Sequence, residues 1–238
     1  MDHIADPAPY PPASLADTFD WMADRYLAQT RRVSWGHYPQ WMRHVAAVLC
    51  QQNPRTLVDI GSGPGALLRE LIATLPDCRL SAVDPSLAML KQVPARVERF
   101  PSTLEAWAPS HRERYDAAVM SFVLRDLTRP KEALLAAASV LHSGGQLVVL
   151  ETHTPSGWRQ WGFRPYFHGW LPWQGDRMLT RDWPGDPELA PYRRLSASHR
   201  QWHRGQQLPA WLNAAGFIHH TRHTRATDVV MLWSAVKA

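Results

Sequence analysis

The chain has 238 residues, a formal net charge of +5 and 45% hydrophobic residues. That size and apolar content suit one α/β domain with a sizeable core, and no apolar run approaches the roughly 20 residues of a membrane-spanning helix. Only three of the 26 basic residues are lysine (Lys91, Lys131, Lys237), and the arginines are scattered, so the charge alone does not predict a nucleic-acid surface.

Residues 1–14 are rich in proline and predict a flexible or extended lead-in. From Leu15 to about Leu49 the pattern turns helical. Phe19, Met22, Ala23, Tyr26 and Leu27 recur at three- and four-residue spacing, which places them on one helix face. A further helix is predicted over Pro39–Cys50, ended by Asn53-Pro54. Together, residues 15–50 read as an N-terminal helical cap.

Strands and helices then alternate. Strands are predicted at Thr56–Ile60, Arg79–Val83, Val97–Phe100 and Tyr115–Phe122. Helices are predicted at Ala66–Leu75, Leu87–Gln92 and Pro130–His142. Ser143-Gly144-Gly145 reads as a turn into a fifth strand, Gln146–Glu151. Near-continuous apolar strands in this alternation predict an α/β fold with a mostly parallel sheet and helices on both faces. Residues 152–200 break the rhythm with Trp, Pro, Gly and Arg, and read as an insertion or lid. A helix over Gln206–Ala215 follows. Phe217–Thr221 and Val229–Val236 make seven strands in all and predict an antiparallel edge. Residues 15–238 are thus expected to form a single domain.

The strongest chemical signal is Asp59-Ile60-Gly61-Ser62-Gly63-Pro64-Gly65, between the first strand and its helix. Glycines there permit a tight turn and let a ligand lie against the backbone. Asp84 ends the second strand, 19 residues after Gly65, where a carboxylate can accept the hydroxyl protons of a ribose. A dinucleotide loop reads G-x-G-x-x-G, whereas these glycines read G-x-G-x-G. The nearby Asp59 suits a ligand with an ammonium group and would repel a pyrophosphate. The favoured ligand is therefore S-adenosylmethionine, with a dinucleotide and a ligand-free turn as alternatives.

The Asp59–Gly65 segment resembles the first motif of class I methyltransferases, and Ala82-Val83-Asp84-Pro85-Ser86 with Met89-Leu90 resembles the second. The resemblance implies a Rossmann-like class I methyltransferase fold with S-adenosyl-L-methionine as cofactor. It implies that Asp59 and the backbone of Gly61, Ser62, Gly63 and Gly65 hold the amino-acid end. It assigns the ribose to Asp84, with Pro85, Met89 and Ser121 as further cofactor contacts. The acid that often binds the adenine amine is missing from Phe100–Leu104, which leaves Ser102 or Thr103.

A narrower likeness covers Tyr115–Glu151, including Ser121-Phe122-Val123-Leu124-Arg125-Asp126 and Ser143-Gly144-Gly145. This stretch resembles the ubiquinone/menaquinone biosynthesis C-methyltransferase family, which carries Arg-Asn and Pro-Gly-Gly at those places. Phe19, Tyr26 and Ser34-Trp35-Gly36 are similar to that family's N-terminal helices. Phe19, Tyr26, Trp35 and Arg125, with Tyr166 of the lid, are therefore the acceptor-binding candidates. A quinol precursor is the leading acceptor. The changed pair Arg125-Asp126 and the unusual lid keep open a tailoring C-, O- or N-methyltransferase of secondary metabolism. A cofactor-binding homologue without methyl transfer is a third reading.

Methylating an aromatic carbon requires an electron-rich acceptor, helped by loss of a phenolic proton. Arg125 can stabilise a phenolate but is a poor base. Alternatively, Arg125 and Asp126 simply pair and brace the loop. His153, past the fifth strand, is a candidate base because its unperturbed pKa is about 6.5. Arg125, Asp126 and His153 are the catalytic candidates.

The aromatics of residues 158–173 have three readings: a roof over an acceptor pocket, a peripheral membrane contact, or a small second core. The Pro and Gly content argues against a regular amphipathic helix there. No metal site is expected, although His199/His203 have helical spacing and His219, His220 and His223 cluster. A small-molecule acceptor is expected rather than nucleic acid. The N-terminal Met-Asp-His-Ile-Ala-Asp-Pro lacks the pattern of a signal peptide, and two unpaired-looking cysteines, Cys50 and Cys78, fit a reduced compartment, so a cytoplasmic location is expected.

Overall fold

The computed structural model describes residues 15–175, 177, 181–187, 190–202, 207–223 and 229–238. The proline-rich 1–14 stretch lies outside the described residues, as does His203.

Strands β1 (Thr56–Ile60), β2 (Arg79–Val83), β3 (Glu98–Phe100), β4 (Tyr115–Ser121), β5 (Leu141–Thr152), β6 (Phe217–His223) and β7 (Val230–Lys237) form one sheet. It has seven strands in the order β3-β2-β1-β4-β5-β7-β6. Strands β1 to β5 run parallel, and β7 lies antiparallel between β5 and β6. This is the mostly parallel α/β sheet the alternation predicts and the Rossmann-like arrangement the family resemblance implies. The strand order reverses between β1 and β4, which opens a crevice at the carboxyl ends of the strands.

Alternate residues of β1 serve opposite faces, because side chains alternate along a strand. Val58 and Ile60 pack with Leu134 and Ala137 of α7 (Pro130–Val140) and Leu212 of α11 (Leu208–Ala214). Leu57 packs on the other face with Leu49 of α3 (Tyr38–Cys50) and Leu71 of α4 (Ala66–Thr74). A sheet buried on both faces explains why its strands lack polar alternation.

Three elements depart from the sequence expectation. The N-terminal cap contains two helices before α3: α1 (Leu15–Met22) and α2 (Tyr26–Val33). Trp35 and Gly36, with φ of +53° and +79°, end the second of them. A left-handed residue stops helical hydrogen bonding whatever the apolar spacing. Next, Ser143-Gly144-Gly145 does not precede β5 but lies within its span, where the pairing with β4 shifts register between Tyr115 and Ala117.

The third difference is the lid, which is largely helical. It comprises α8 (Arg159–Pro165), a π-helical turn over Tyr166–Trp170, α9 (Leu171–Gln174) and α10 (Pro191–Gln201). Pro172 and Pro191 sit in the first turns of α9 and α10, where a missing N–H costs nothing. Pro165 closes α8 at the passage into the π-helical turn. The prolines therefore punctuate helices here rather than exclude them. Phe167, Leu171 and Tyr192 form a small core beneath the lid, packed by Val33, Phe163, Tyr166 and Leu195.

Candidate active site

The glycine loop follows β1 and leads into α4. Gly61 meets two constraints: its φ is +69°, and a Cβ there would fall 2.4 Å from Val123 Cγ2. The loop thus packs directly against the chain leaving β4. The Gly63 N–H donates to Asp84 Oδ2 and the Ser86 N–H to Asp84 Oδ1, each at 2.8 Å. A carboxylate offers about four acceptor positions, so both oxygens keep capacity for ribose hydroxyls. Burial raises the Asp84 carboxyl above its ordinary pKa, while the two N–H donors oppose that rise.

Asp59 is buried, and its Oδ1 has no hydrogen-bond partner. Burial first, and the Asp84 charge second, push its carboxyl well above the usual carboxylate range. An unpartnered buried acid at a strand end is suited to a cationic ligand, which would restore its charged form. Ser121 Oγ, at the end of β4, is likewise buried without a partner. These orphaned atoms, next to a loop free of side chains at Gly63, fit the ammonium-bearing end of S-adenosylmethionine.

Other cofactor candidates fall around this loop with different degrees of freedom. Ser62 and Met89 are buried, and Pro85 is exposed. Thr103 caps α6 (Leu104–Trp107) by accepting from the Ala106 N–H at 3.4 Å. Ser102 Oγ donates to the Thr103 carbonyl at 3.1 Å, which leaves its lone pairs for a donor such as an adenine amine. Asp20 of α1, with no signal in the sequence, accepts from Ser86 Oγ and from the Ala88 N–H at 3.0 Å. It ties the N-terminal cap to the segment that carries Asp84 and opens α5 (Leu87–Lys91).

A cavity of about 660 Å³ lies between the cap, the segment after β4 and the lid. All five acceptor candidates line it: Phe19, Tyr26, Trp35, Arg125 and Tyr166. The sequence reading missed Tyr38, Trp41, Phe122 and Tyr192, which line it too. Tyr192 Oη donates to Gln29 Oε1 at 3.1 Å, and Tyr166 Oη donates to the Val33 carbonyl at 2.9 Å. These two bonds fasten the lid to α2 across long sequence separations that no local pattern reveals.

Arg125 carries the main charge on this wall. Its side chain is 9% exposed. Nη1 donates to Glu151 Oε1 at 2.7 Å, and Nη2 lies 3.3 Å from Asp126 Oδ2. Glu151, fully buried at the end of β5, also accepts from the Arg125 and Thr152 N–H groups at 3.2 and 2.8 Å. Arg125 Nε is buried without a partner. Burial opposes the guanidinium charge, but Asp126 and Glu151 more than offset that, so the arginine stays charged. Burial raises the phenol pKa of nearby Tyr26, and the Arg125 charge pulls it back. The bracing reading of the Arg125–Asp126 pair therefore describes real contacts, with Glu151 as the shorter partner. An acid at the end of the strand beside β4 is the signal that could have identified it.

His153 does not line the cavity, although it follows directly on cavity-lining Thr152. Its N–H donates to the Val229 carbonyl at 2.7 Å, which continues the β5–β7 pairing. His220 and His223 are engaged with the Phe217 carbonyl and Ser234 Oγ, each at 2.9 Å. Among the described residues, no three His, Cys, Asp or Glu side chains gather as a metal-binding group. Among them, too, no helix is long and apolar enough to cross a membrane.

Residues 33–220 match the methyltransferase domain family. The chain belongs to that family. It is 26% identical over 203 residues to the demethylmenaquinone methyltransferase of Thermotoga maritima, covering 84% of this chain and 86% of that protein. It is 28% identical over 228 residues to the ubiquinone/menaquinone biosynthesis C-methyltransferase UbiE of Syntrophotalea carbinolica, covering 92% of each. Among solved structures, a SAM-dependent methyltransferase of Thermotoga maritima, described as a possible histamine N-methyltransferase, superposes with a TM-score of 0.59 at 18% identity, covering 92% of this chain and 100% of that one. Human N-acetylserotonin methyltransferase in complex with SAM gives 0.55 at 15% identity, with 94% of this chain matched and only 56% of the human chain spanned. The chain is thus a class I S-adenosylmethionine-dependent methyltransferase. The glycine loop, Asp59 and Asp84 are the residues whose chemistry fits that cofactor.

Proposed function

We propose that the chain methylates a small aromatic acceptor of the quinol type, held in the 660 Å³ cavity with its oxygen toward Arg125. The observation that carries this reading is a charged, buried guanidinium on the wall of a cavity rich in aromatic side chains. An aromatic ring can stack among Phe19, Tyr26, Tyr38 and Trp41, while a phenolic oxygen meets the buried Arg125 cation. The likeness to the demethylmenaquinone and ubiquinone/menaquinone enzymes supports the same acceptor class.

S-adenosylmethionine supplies an activated methyl group on a sulfonium. The protein aligns acceptor and donor and keeps water out. The Arg125 guanidinium would stabilise the developing phenolate and enrich the ring carbon that bonds to the methyl. Asp126, which lines the cavity, would take a proton from the acceptor. His153, which does not line the cavity, would act only through an intervening group. Asp59 would hold the ammonium end of the cofactor and Asp84 its ribose.

The Arg125–Asp126 ion pair also favours a second reading, a tailoring methyltransferase for a phenol of secondary metabolism. An extra carboxylate at this wall suits an acceptor that carries its own amine or an acidic hydroxyl. One experiment separates the two. The enzyme is supplied with labelled S-adenosylmethionine and, in parallel, a short-chain demethylated naphthoquinol, a simple phenol and a phenolic amine. Label at a ring carbon of the quinol supports the proposal. Label only on oxygen or nitrogen of the other two supports the tailoring reading.

A further inference from the structure

We infer that the helical lid docks on an anionic lipid bilayer, so that the cavity mouth opens at the membrane surface. The inference rests on the proposed apolar acceptor and adds where that acceptor is collected.

The observation is a cluster of tryptophans in water. Trp158 and Trp161, spaced i, i+3 at the start of α8, are each 80% exposed, and Trp35 is 72% exposed. Trp170 and Trp173, also i, i+3, are exposed at the far end of the same helical run. The row is continuous on one side: Trp35 contacts Tyr166 at 5.7 Å between centroids, and Tyr166 stacks on Trp170 at 5.3 Å. Aromatics usually bury because each removes some 150–250 Å² of surface from water. This lid does bury Phe163, Tyr166 and Phe167 in part, yet presents its tryptophans outward. An exposed patch of that kind marks an interaction surface.

Position and charge select the partner. Trp35 and Trp158 line the cavity while remaining largely exposed, so they rim its mouth. Arg159 lies over the Trp158 ring at 5.9 Å and Arg177 over Trp173 at 5.2 Å, with Arg164 exposed between them. From Thr152 to Gly175 the sequence contains no Asp or Glu. Indole rings favour the headgroup level of a bilayer, and interspersed arginines are drawn to anionic headgroups. A nucleic acid would use the same cations, but the apolar cavity behind the rim suits hydrocarbon.

The test is co-sedimentation of the full chain with vesicles of phosphatidylcholine, with and without about one quarter phosphatidylglycerol. The wild type is expected to sediment with the anionic vesicles at low salt and much less with the neutral ones. Trp161→Ala with Trp173→Ala, neither of which lines the cavity, is expected to cut binding about tenfold. Arg164→Gln is expected to cut it about fivefold at low salt. Unchanged affinity for S-adenosylhomocysteine shows that these variants are folded. Transfer to a water-soluble acceptor should persist in them, while transfer to an acceptor embedded in vesicles falls. Wild type that stays in the supernatant at low salt, or that hides its tryptophans in a homo-oligomer, overturns the inference. Vesicle binding without transfer to any quinol would instead overturn the acceptor proposal alone.

Discussion

Arg125 and Glu151 meet at 2.7 Å across the ends of β4 and β5, and the pair is almost wholly removed from water. β5 ends in Thr152, which lines the cavity, and the segment after β4 packs on the glycine loop through Val123. The ion pair therefore couples the acceptor wall to the cofactor loop. Buried ion pairs add little net stability, but losing one partner strands the other.

Glu151→Ala is expected to destabilise the fold by about 3–5 kcal/mol, measured by urea unfolding, because it leaves a buried arginine short of charge. Glu151→Gln keeps the shape and one accepting oxygen but removes the charge and one of the two acceptors that hold Arg125. It should lower kcat far more than it weakens binding of S-adenosylhomocysteine. Equal loss in both would mean that Glu151 does not act through Arg125.

Asp84→Ala should weaken S-adenosylhomocysteine binding at least about tenfold in calorimetry, since it removes charge-assisted hydrogen bonds and frees the Gly63 and Ser86 N–H groups. Asp59→Asn should affect S-adenosylmethionine and S-adenosylhomocysteine alike, because both carry the ammonium end. An unchanged affinity in either variant would remove that residue from the cofactor site.

Gly61→Ala should cost about 1–3 kcal/mol, because its Cβ would meet Val123 at 2.4 Å. Gly144 also has a positive φ, +78°, but open space around its missing Cβ. Gly144→Ala should therefore cost only the backbone strain, about 1 kcal/mol. Transfer activity should fall in the first variant alone, since only Val123 stands two residues before Arg125.

His199, buried in the lid against Phe163 and Phe167, has its pKa lowered to about 3, by burial first and the neighbouring His168 second. The folded chain holds it neutral while the unfolded chain protonates it near pH 6.5. Its contribution to stability is thus complete above that pH and is lost as pH falls from about 6.5 towards 3. Between pH 7 and 5 this amounts to about 2 kcal/mol. His199→Phe should flatten that part of the pH profile in urea unfolding. An identical slope in both proteins would assign the acid sensitivity to other groups.

The succession of strands and helices, the mostly parallel sheet and the antiparallel edge were legible because local physics carries them. Uninterrupted runs such as Leu147–Leu150 require burial on both faces, and the glycine loop with Asp59 and Asp84 favours one ligand class, which the family resemblance names. Boundaries were less legible where a single backbone conformation decides, as at Trp35-Gly36. The lid was misjudged because proline was read as a helix breaker, whereas Pro172 and Pro191 occupy first turns.

By itself the sequence determined the fold class, the cofactor and the list of aromatic residues available for an acceptor. Those properties depend on periodicity and on motifs within one stretch of chain. The tertiary structure alone decided that Phe19, Tyr26, Trp35, Arg125 and Tyr166 face one cavity, and that Glu151 holds Arg125. It also decided which tryptophans stay in water. The reason is separation along the chain. Tyr192 reaches Gln29 across 163 residues and Tyr166 reaches Val33 across 133. Such contacts exist only once the sheet has brought the cap and the lid to the same edge.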